Sequence, residues 1–232
     1  MLLRAFTSLL IVVVCATSSH AQENDARPDG WRGAILNLST PDDTIRLFGT
    51  PAKDKDRTAL EMRRPVSWLS DKYKQKVFRT LTYKKLFGYK QAQFSFLDGK
   101  LVMISLEAQN PTDGAQEWID PDELESLFVT SFKPHARRAG QKLPPPSVFR
   151  ASAPAELKKD DYAYWYDMIA VGEDSFIVAV VDNYQHVSAY TPFGRDPTFE
   201  GQKKERERIN AAGKYPGFVS DIQIISRGLA EP

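Results

Sequence analysis

One helix-opening pattern occurs twice in this chain. Thr40–Phe48 reads Thr-Pro-Asp-Asp-Thr-Ile-Arg-Leu-Phe, and Asp120–Phe128 reads Asp-Pro-Asp-Glu-Leu-Glu-Ser-Leu-Phe. In both segments, a side chain that can cap free backbone N–H groups precedes a proline in the first turn, where no N–H is needed. Acidic residues then follow at the positive end of the helix. Two copies of one capped helix predict two copies of one folding unit.

Strand patterns follow each of these helices. After the first, Ala92–Leu97 and Leu101–Leu106 alternate in polarity around Asp98-Gly99, a dipeptide typical of tight hairpin turns. After the second, Tyr162–Val171 and Ser175–Val181 predict another hairpin. We therefore predict an α+β fold of two tandem helix-then-antiparallel-hairpin units, with the helices packed on one face of an antiparallel sheet.

The rest of the chain is assigned around these elements. Asp54–Arg64 is charged and predicted to be a loop, whereas Ser67–Lys76 is predicted to be a second, basic helix. The first unit spans residues 22–110 and the second spans residues 111–232. The second unit includes a charged excursion over 195–214 and a closing strand over 218–226.

The N-terminus has the three parts of a secretory signal. Met1–Arg4 is positively charged, Ala5–Ala16 is apolar, and Ser19-His20-Ala21 places small residues three and one before a cut. We expect residues 1–21 to be a signal peptide cleaved after Ala21, and the mature protein to be periplasmic or extracellular. The single cysteine, Cys15, lies inside this signal, so the mature chain has no thiol for a disulfide or a thiolate site.

The first unit resembles a known family. Leu38–Pro51 ends a short helix in Gly-x-Pro, and Phe94–Leu101 combines aromatic residues, Asp-Gly and leucine in a hairpin. These segments look like the SmpA/OmlA (BamE-like) envelope domain, which is related in architecture to the β-lactamase-inhibitor-protein fold, where the unit is doubled. The resemblance implies binding to other proteins without catalysis. In the second copy, Val129 and Ser131 replace the expected Gly and Pro, which weakens the match there.

No pattern of residues indicates catalysis, a metal or a cofactor. The chain has none of the serine-hydrolase, zinc-protease or phosphate-loop motifs, and His135 and His186 lack ligand spacing. The acids from Asp113 to Glu123 miss the spacing of a known calcium loop, so we interpret them as a solvated loop and a helix first turn. We predict no catalytic residue, no metal site and no cofactor.

The charge is unevenly distributed. The formal net charge is +1, yet Pro51–Lys90 holds 12 basic and 4 acidic residues. An exported protein with an overall charge near zero is not expected to bind nucleic acid. The basic run over residues 72–85 is a candidate contact for a membrane surface, the alternative being a solvated helix face.

Aromatic residues provide the candidate binding surface. Alternation along a strand places Tyr162, Tyr164 and Tyr166 on one face, and tyrosines are common in interface hot spots. The alternative is that these rings pack in the core. We expect a non-catalytic module that binds another envelope or extracellular protein. The alternative function is an envelope hydrolase using a carboxylate pair such as Asp161 and Asp167.

Overall fold

A computed structural model describes five stretches of the chain and one further residue. They are residues 26–61, 69–109, 119–136, 165–182 and 217–230, together with Tyr215. The predicted signal peptide lies outside these residues, so its cleavage stays a prediction. Within the described residues, no helix is long and apolar enough to cross a membrane.

Two antiparallel sheets make up most of the described structure. The smaller one contains β1 (Ala26–Arg27), β2 (Gly30–Trp31) and β3 (Ala34–Ile35). The larger one has eight strands, in the spatial order β4 (Lys53–Thr58), β5 (Val77–Leu86), β6 (Tyr89–Leu97), β7 (Lys100–Glu107), β11 (Phe218–Ser226), β10 (Ser175–Asp182), β9 (Trp165–Val171) and β8 (Lys133–Ala136).

The helices are short. They are α1 (Pro41–Phe48), α2 (Asp71–Lys74), α3 (Leu124–Phe128) and α4 (Arg227–Ala230), with single 3-10 turns at Ala59–Glu61 and Pro121–Glu123. Such short helices are marginal in isolation and depend on packing against the sheet.

The predicted fold class is wrong. The protein is mostly β, and its strands form one continuous eight-stranded sheet rather than two helix-then-hairpin units. The two halves of the chain join where β7 pairs with β11, along Met103–Glu107 and Asp221–Ile225. Pairing between segments so far apart in the chain has no local sequence signal, because each strand pattern reports only its own buried face.

Several individual elements are confirmed. The helix over Pro41–Phe48 has the predicted cap: the Asp43 backbone N–H donates to Thr40 Oγ1 at 3.2 Å, and the Thr40 backbone N–H donates to Asp43 Oδ2 at 3.0 Å. The bonds that the Thr40 backbone N–H and the Thr40 hydroxyl donate to Asp43 Oδ2 lower the pKa of the Asp43 carboxyl. The Asp98-Gly99 turn and the closing strand Phe218–Ser226 are also present.

Other element predictions were wrong or only partly confirmed. The charged segment predicted as a loop instead contains β4, the edge strand of the sheet. In the described part of Ser67–Lys76, only Asp71–Lys74 is α-helical. The second predicted helix begins with a 3-10 turn at Pro121–Glu123 before continuing as α3.

The core lies mainly on the first face of the sheet, defined here as the face covered by α1 and α3. One row of paired residues crosses this face from Leu81 on β5 to Ala170 on β9, through Phe94, Ile104, Ile224 and Ile177. The core cluster that contains this row also includes Trp31 from β2, and Leu124 and Phe128 from α3. The small sheet and both helices are thereby fixed against the first face.

The second face changes character along its strands. At one end, Phe78, Phe176 and Ile225 pack against Leu69 and against Leu229 of α4. Further along the same strands, the paired row is polar and contains Thr82, Gln93, Ser105 and Gln223. Thr82 and Gln223 are nevertheless buried, so this row is not an open polar surface.

Candidate interaction surface at two adjacent turns

Two hairpin turns carry unusual residues. Arg32-Gly33 connects β2 to β3, and Phe87-Gly88 connects β5 to β6. Both residues of each turn have positive φ, with values of 48° and 83° in the first and 48° and 84° in the second. Two-residue turns with this backbone favour Asn, Asp or Gly at the first position, because other side chains are strained there. The Asp98-Gly99 turn obeys this preference, whereas Arg32 and Phe87 do not.

The two unusual residues contact each other. The guanidinium carbon of Arg32 lies 4.1 Å from the centroid of the Phe87 ring and 5.8 Å from that of Trp31. A cation this close to an aromatic face is attracted by the negative face of the ring. The Phe87 side chain is 46% exposed, and Leu47 is exposed beside Gly33. We call the side chains of Arg32, Leu47 and Phe87 the turn-tip patch.

A cluster of aromatic rings supports this patch from below. Trp31 is buried, and its ring centroid lies 5.9 Å from that of Phe87 and 5.6 Å from that of Phe48. Phe48 in turn stacks on Phe94 at 4.9 Å. The Tyr83 hydroxyl donates a hydrogen bond of 3.1 Å to the Gly49 carbonyl, which ties the end of α1 to the sheet. The exposed patch is therefore held by a rigid base.

The surroundings of the patch are both apolar and positively charged. Burial raises the pKa of the Tyr89 hydroxyl to about 12, although the positive charge of Arg32 acts in the opposite direction. Tyr89 packs edge-on against Trp31, with 5.6 Å between the ring centroids. Lys84 and Lys85 are exposed on the strand that leads into the Phe87 turn. The arrangement can hold an aromatic ring and several cations in fixed positions.

The candidate tyrosine surface is only partly within the described residues. Tyr166 lies on the first face of the sheet and has 0% exposure, in the same core cluster as Val181 and Val219. Its ring is therefore core, which is the alternative that the sequence left open. Tyr162 and Tyr164 lie outside the described residues, so a binding role for them stays a prediction.

The carboxylate pair is likewise only half described. Asp161 lies outside the described residues, and Asp167 is fully buried on the second face of the sheet, where His135 pairs with it across β8 and β9. Among the described residues, no group of three or more His, Cys, Asp or Glu side chains could hold a metal ion. His186, Asp113 and Glu117 are outside the described residues.

The predicted basic run does not form one surface. Lys74 makes an ion pair with Asp71 on α2, and Lys72 lies over the Tyr73 ring at 5.2 Å. Arg79 makes two hydrogen bonds to Asp54 on the neighbouring strand, and these lower the pKa of the Asp54 carboxyl. A second group, Lys84 and Lys85, lies at the far end of β5 beside the turn-tip patch. Membrane contact through the whole run stays a prediction.

The turn-tip patch could not be recognised from the sequence alone. Its only sequence signal is a glycine after Arg32 and another after Phe87, each between strand-like residues. The stronger signal for such turns is Asn-Gly or Asp-Gly, which neither position has. The contact between the two turns depends on the small sheet packing over the aromatic cluster, and this placement has no local pattern.

The comparisons with known proteins leave the chain without an assigned family. No protein-family model matches it, and a search of curated proteins finds no significant match. Among solved structures, it is similar to the crystal structure of an extracellular protein containing a SCP domain from Bacillus anthracis str. Ames. The identity is 8%, the TM-score is 0.37, and the match covers 85% of this chain and 47% of that one. The chain thus spans about half the length of that protein, and the likeness is too low to carry an argument about fold or function.

Proposed function

We propose that this protein is an exported, non-catalytic module that binds another protein through the turn-tip patch. The observation that carries this proposal is the contact between Arg32 and Phe87, two bulky residues in left-handed turn positions that favour Asn, Asp or Gly. Strained backbone positions are enriched at functional sites, where the side chain is needed for another purpose than folding.

The composition of the patch suits a protein partner. Aromatic residues and arginine are enriched among the interface residues that contribute most to binding, because they bury a large area with little loss of side-chain freedom. Phe87 is held by Trp31 below and by Arg32 beside it, so its ring is already ordered before a partner arrives. A partner would bury its exposed half at a reduced entropy cost.

Two predictions from the sequence agree with this proposal. The signal pattern over residues 1–21 predicts export, which would place the patch among envelope or extracellular proteins. The resemblance of Leu38–Pro51 to the SmpA/OmlA domain implies protein binding without catalysis. Both remain predictions.

The test is capture of partners from an envelope extract with three matched single-turn variants. Phe87→Asn and Arg32→Asn keep a residue suited to the positive φ of each turn but remove the ring or the cation. Asp98→Asn makes the same kind of change at the remote Asp98-Gly99 turn and serves as the control. We expect the first two variants to lose, about tenfold or more, the proteins retained by the unaltered protein, as for a central interface residue.

The melting temperature of each variant must be measured alongside capture. Loss of capture by a variant that melts like the unaltered protein supports the proposal. If both turn-tip variants remain folded and capture the same proteins, the patch is not the binding surface.

A further inference from the structure

The turn-tip patch is surrounded by positive charge. Lys85 is exposed at the end of β5, and Lys90 is exposed just after the turn on β6. The strand register pairs Lys84 with Gln91 and Leu86 with Tyr89, so Lys85 and Lys90 occupy facing positions between these pairs. Arg32 adds a third cation from the adjacent turn.

Nearby acids offset this charge only in part. Glu107 Oε1 lies 3.5 Å from Lys90 Nζ. Lys85 directly precedes Leu86 and the Phe87 turn and is exposed, whereas Lys84 projects from the second face, as Thr82 does. A partner that covers Phe87 would therefore meet lysine side chains at the rim of the contact.

We propose, on the basis of the proposed function, that the partner surface is an acidic protein segment that places an apolar side chain against Phe87 and carboxylates against Lys85, Lys90 and Arg32. Complementary charge at the rim of an interface steers association and disfavours partners that carry charge of the same sign. The central ring and the surrounding cations thus specify an acidic segment with an apolar anchor.

The held geometry of the ring favours a protein over a lipid surface. Membrane-surface anchors bury an apolar face several ångströms into the boundary between headgroups and acyl chains. Phe87 is 46% exposed, Arg32 lies over its ring, and Trp31 packs edge-on against it. Phe87 and Leu47 are each only about half exposed, so the patch lacks the extended apolar face that a membrane-surface anchor buries, whereas the ordered ring offers a defined shape to a protein partner.

The experiment uses a synthetic probe and residue-resolved NMR on the whole mature protein. The probe is a ten-residue peptide of eight glutamates with two central leucines, and a second peptide replaces the leucines by serine. We expect the leucine peptide to shift the amide signals of Arg32-Gly33 and Phe87-Gly88, and to bind more tightly than the serine peptide. Vesicles of equal parts phosphatidylglycerol and phosphatidylcholine test the lipid surface in parallel.

Two double variants test the role of charge. Lys85→Gln with Lys90→Gln should weaken binding of the leucine peptide about fivefold or more, since each rim charge contributes a fraction of a kcal/mol up to about 1 kcal/mol. Lys72→Gln with Lys76→Gln removes the same charge from the α2 region and should change binding less than about twofold. Shifts elsewhere on the protein, equal effects of the two double variants, or absence of peptide binding would overturn the inference.

If vesicles shift the same amide signals, the inference of an acidic protein partner is also overturned, and a lipid surface takes its place. The proposed function can be judged separately through the extract capture at about 0.5 M salt, where surface charge is strongly screened. Capture that depends on Phe87 but is insensitive to salt and to the Lys85 and Lys90 changes would leave the proposed function standing and remove the acidic partner. Capture that is unchanged by Phe87→Asn would remove the proposed function itself.

Discussion

Arg32 and Phe87 lie at the tips of two different hairpin turns, with 4.1 Å between the guanidinium carbon and the ring centroid. Both residues have a φ of 48°, a conformation that costs about 1 kcal/mol or more for a residue other than glycine. Their mutual contact recovers part of this cost, because a cation over an exposed ring contributes about 0.5–1 kcal/mol. The strain energy that this contact does not recover is the reason to assign Arg32 and Phe87 a role outside folding.

The first prediction compares two aromatic side chains of similar size. Phe87→Asn should change the free energy of unfolding by less than about 1 kcal/mol, since relief of the left-handed strain offsets the lost packing of a half-exposed ring. Tyr166→Ala should lower it by about 3–5 kcal/mol, because Tyr166 is fully buried in the core. Urea denaturation followed by circular dichroism measures both changes. A loss above about 2 kcal/mol for Phe87→Asn would make that ring part of the core.

The second prediction concerns the end of α3. Val129 has a φ of 50° and is 81% exposed, so a β-branched residue is strained there and buries little in return. Val129→Gly should raise the free energy of unfolding by about 1 kcal/mol, since glycine adopts this conformation without a steric penalty. Ser131→Gly, two residues further on, is the control and should bring no gain. Equal effects of the two changes would show that the strain at Val129 is negligible.

The third prediction is a dependence on high pH. The folded protein keeps Tyr89 protonated up to a pKa of about 12, whereas an unfolded tyrosine loses its proton near pH 10. Between these values the unfolded state binds fewer protons, so stability falls as the pH rises through this window. Tyr89→Phe should remove the part of this stability loss that comes from ionisation of the Tyr89 hydroxyl.

Absorbance of tyrosinate measures the same group directly. The difference between the titrations of the unaltered protein and Tyr89→Phe isolates the Tyr89 hydroxyl, which should ionise near pH 12 while the fold persists. Ionisation of that hydroxyl near pH 10 in the folded protein would contradict its burial.

The fourth prediction concerns the charged edge of the sheet. On β4, Lys53, Lys55 and Arg57 project to the second face, and Asp54 and Asp56 project to the first. Two copies pairing antiparallel along this edge must align like faces, so bases oppose bases and acids oppose acids in every register. The edge therefore resists pairing with its own copy.

Neutralising this edge should allow the pairing. Lys55→Thr with Asp56→Thr keeps the net charge, places a good strand former at both positions, and should produce concentration-dependent dimers in sedimentation velocity. The control, Lys100→Thr with Glu123→Thr, removes one base and one acid from exposed sites on β7 and on the Pro121–Glu123 turn, away from the edge. Equal association of both variants would mean that loss of charge in general, and not the edge, controls self-association.

The local elements were predictable from sequence where the signal lies within a few residues. The helix over Pro41–Phe48 follows from its cap and its acids, and the Asp98-Gly99 turn from the backbone freedom of that dipeptide. The strand β4 was missed because its residues are mostly exposed and charged, as in a loop. Only its place at the sheet edge makes it a strand.

The sequence by itself determined the capped helix, the hairpins and the alternation that marks buried strand faces, because each depends on interactions between residues close together in the chain. Tertiary structure alone decided that β7 pairs with β11 and so makes one sheet, that Tyr166 is core, and that Arg32 covers Phe87. These outcomes depend on which distant apolar surfaces pack together. Hydrophobic burial is non-directional, so a pattern of apolar residues specifies that a face is buried but not which partner buries it.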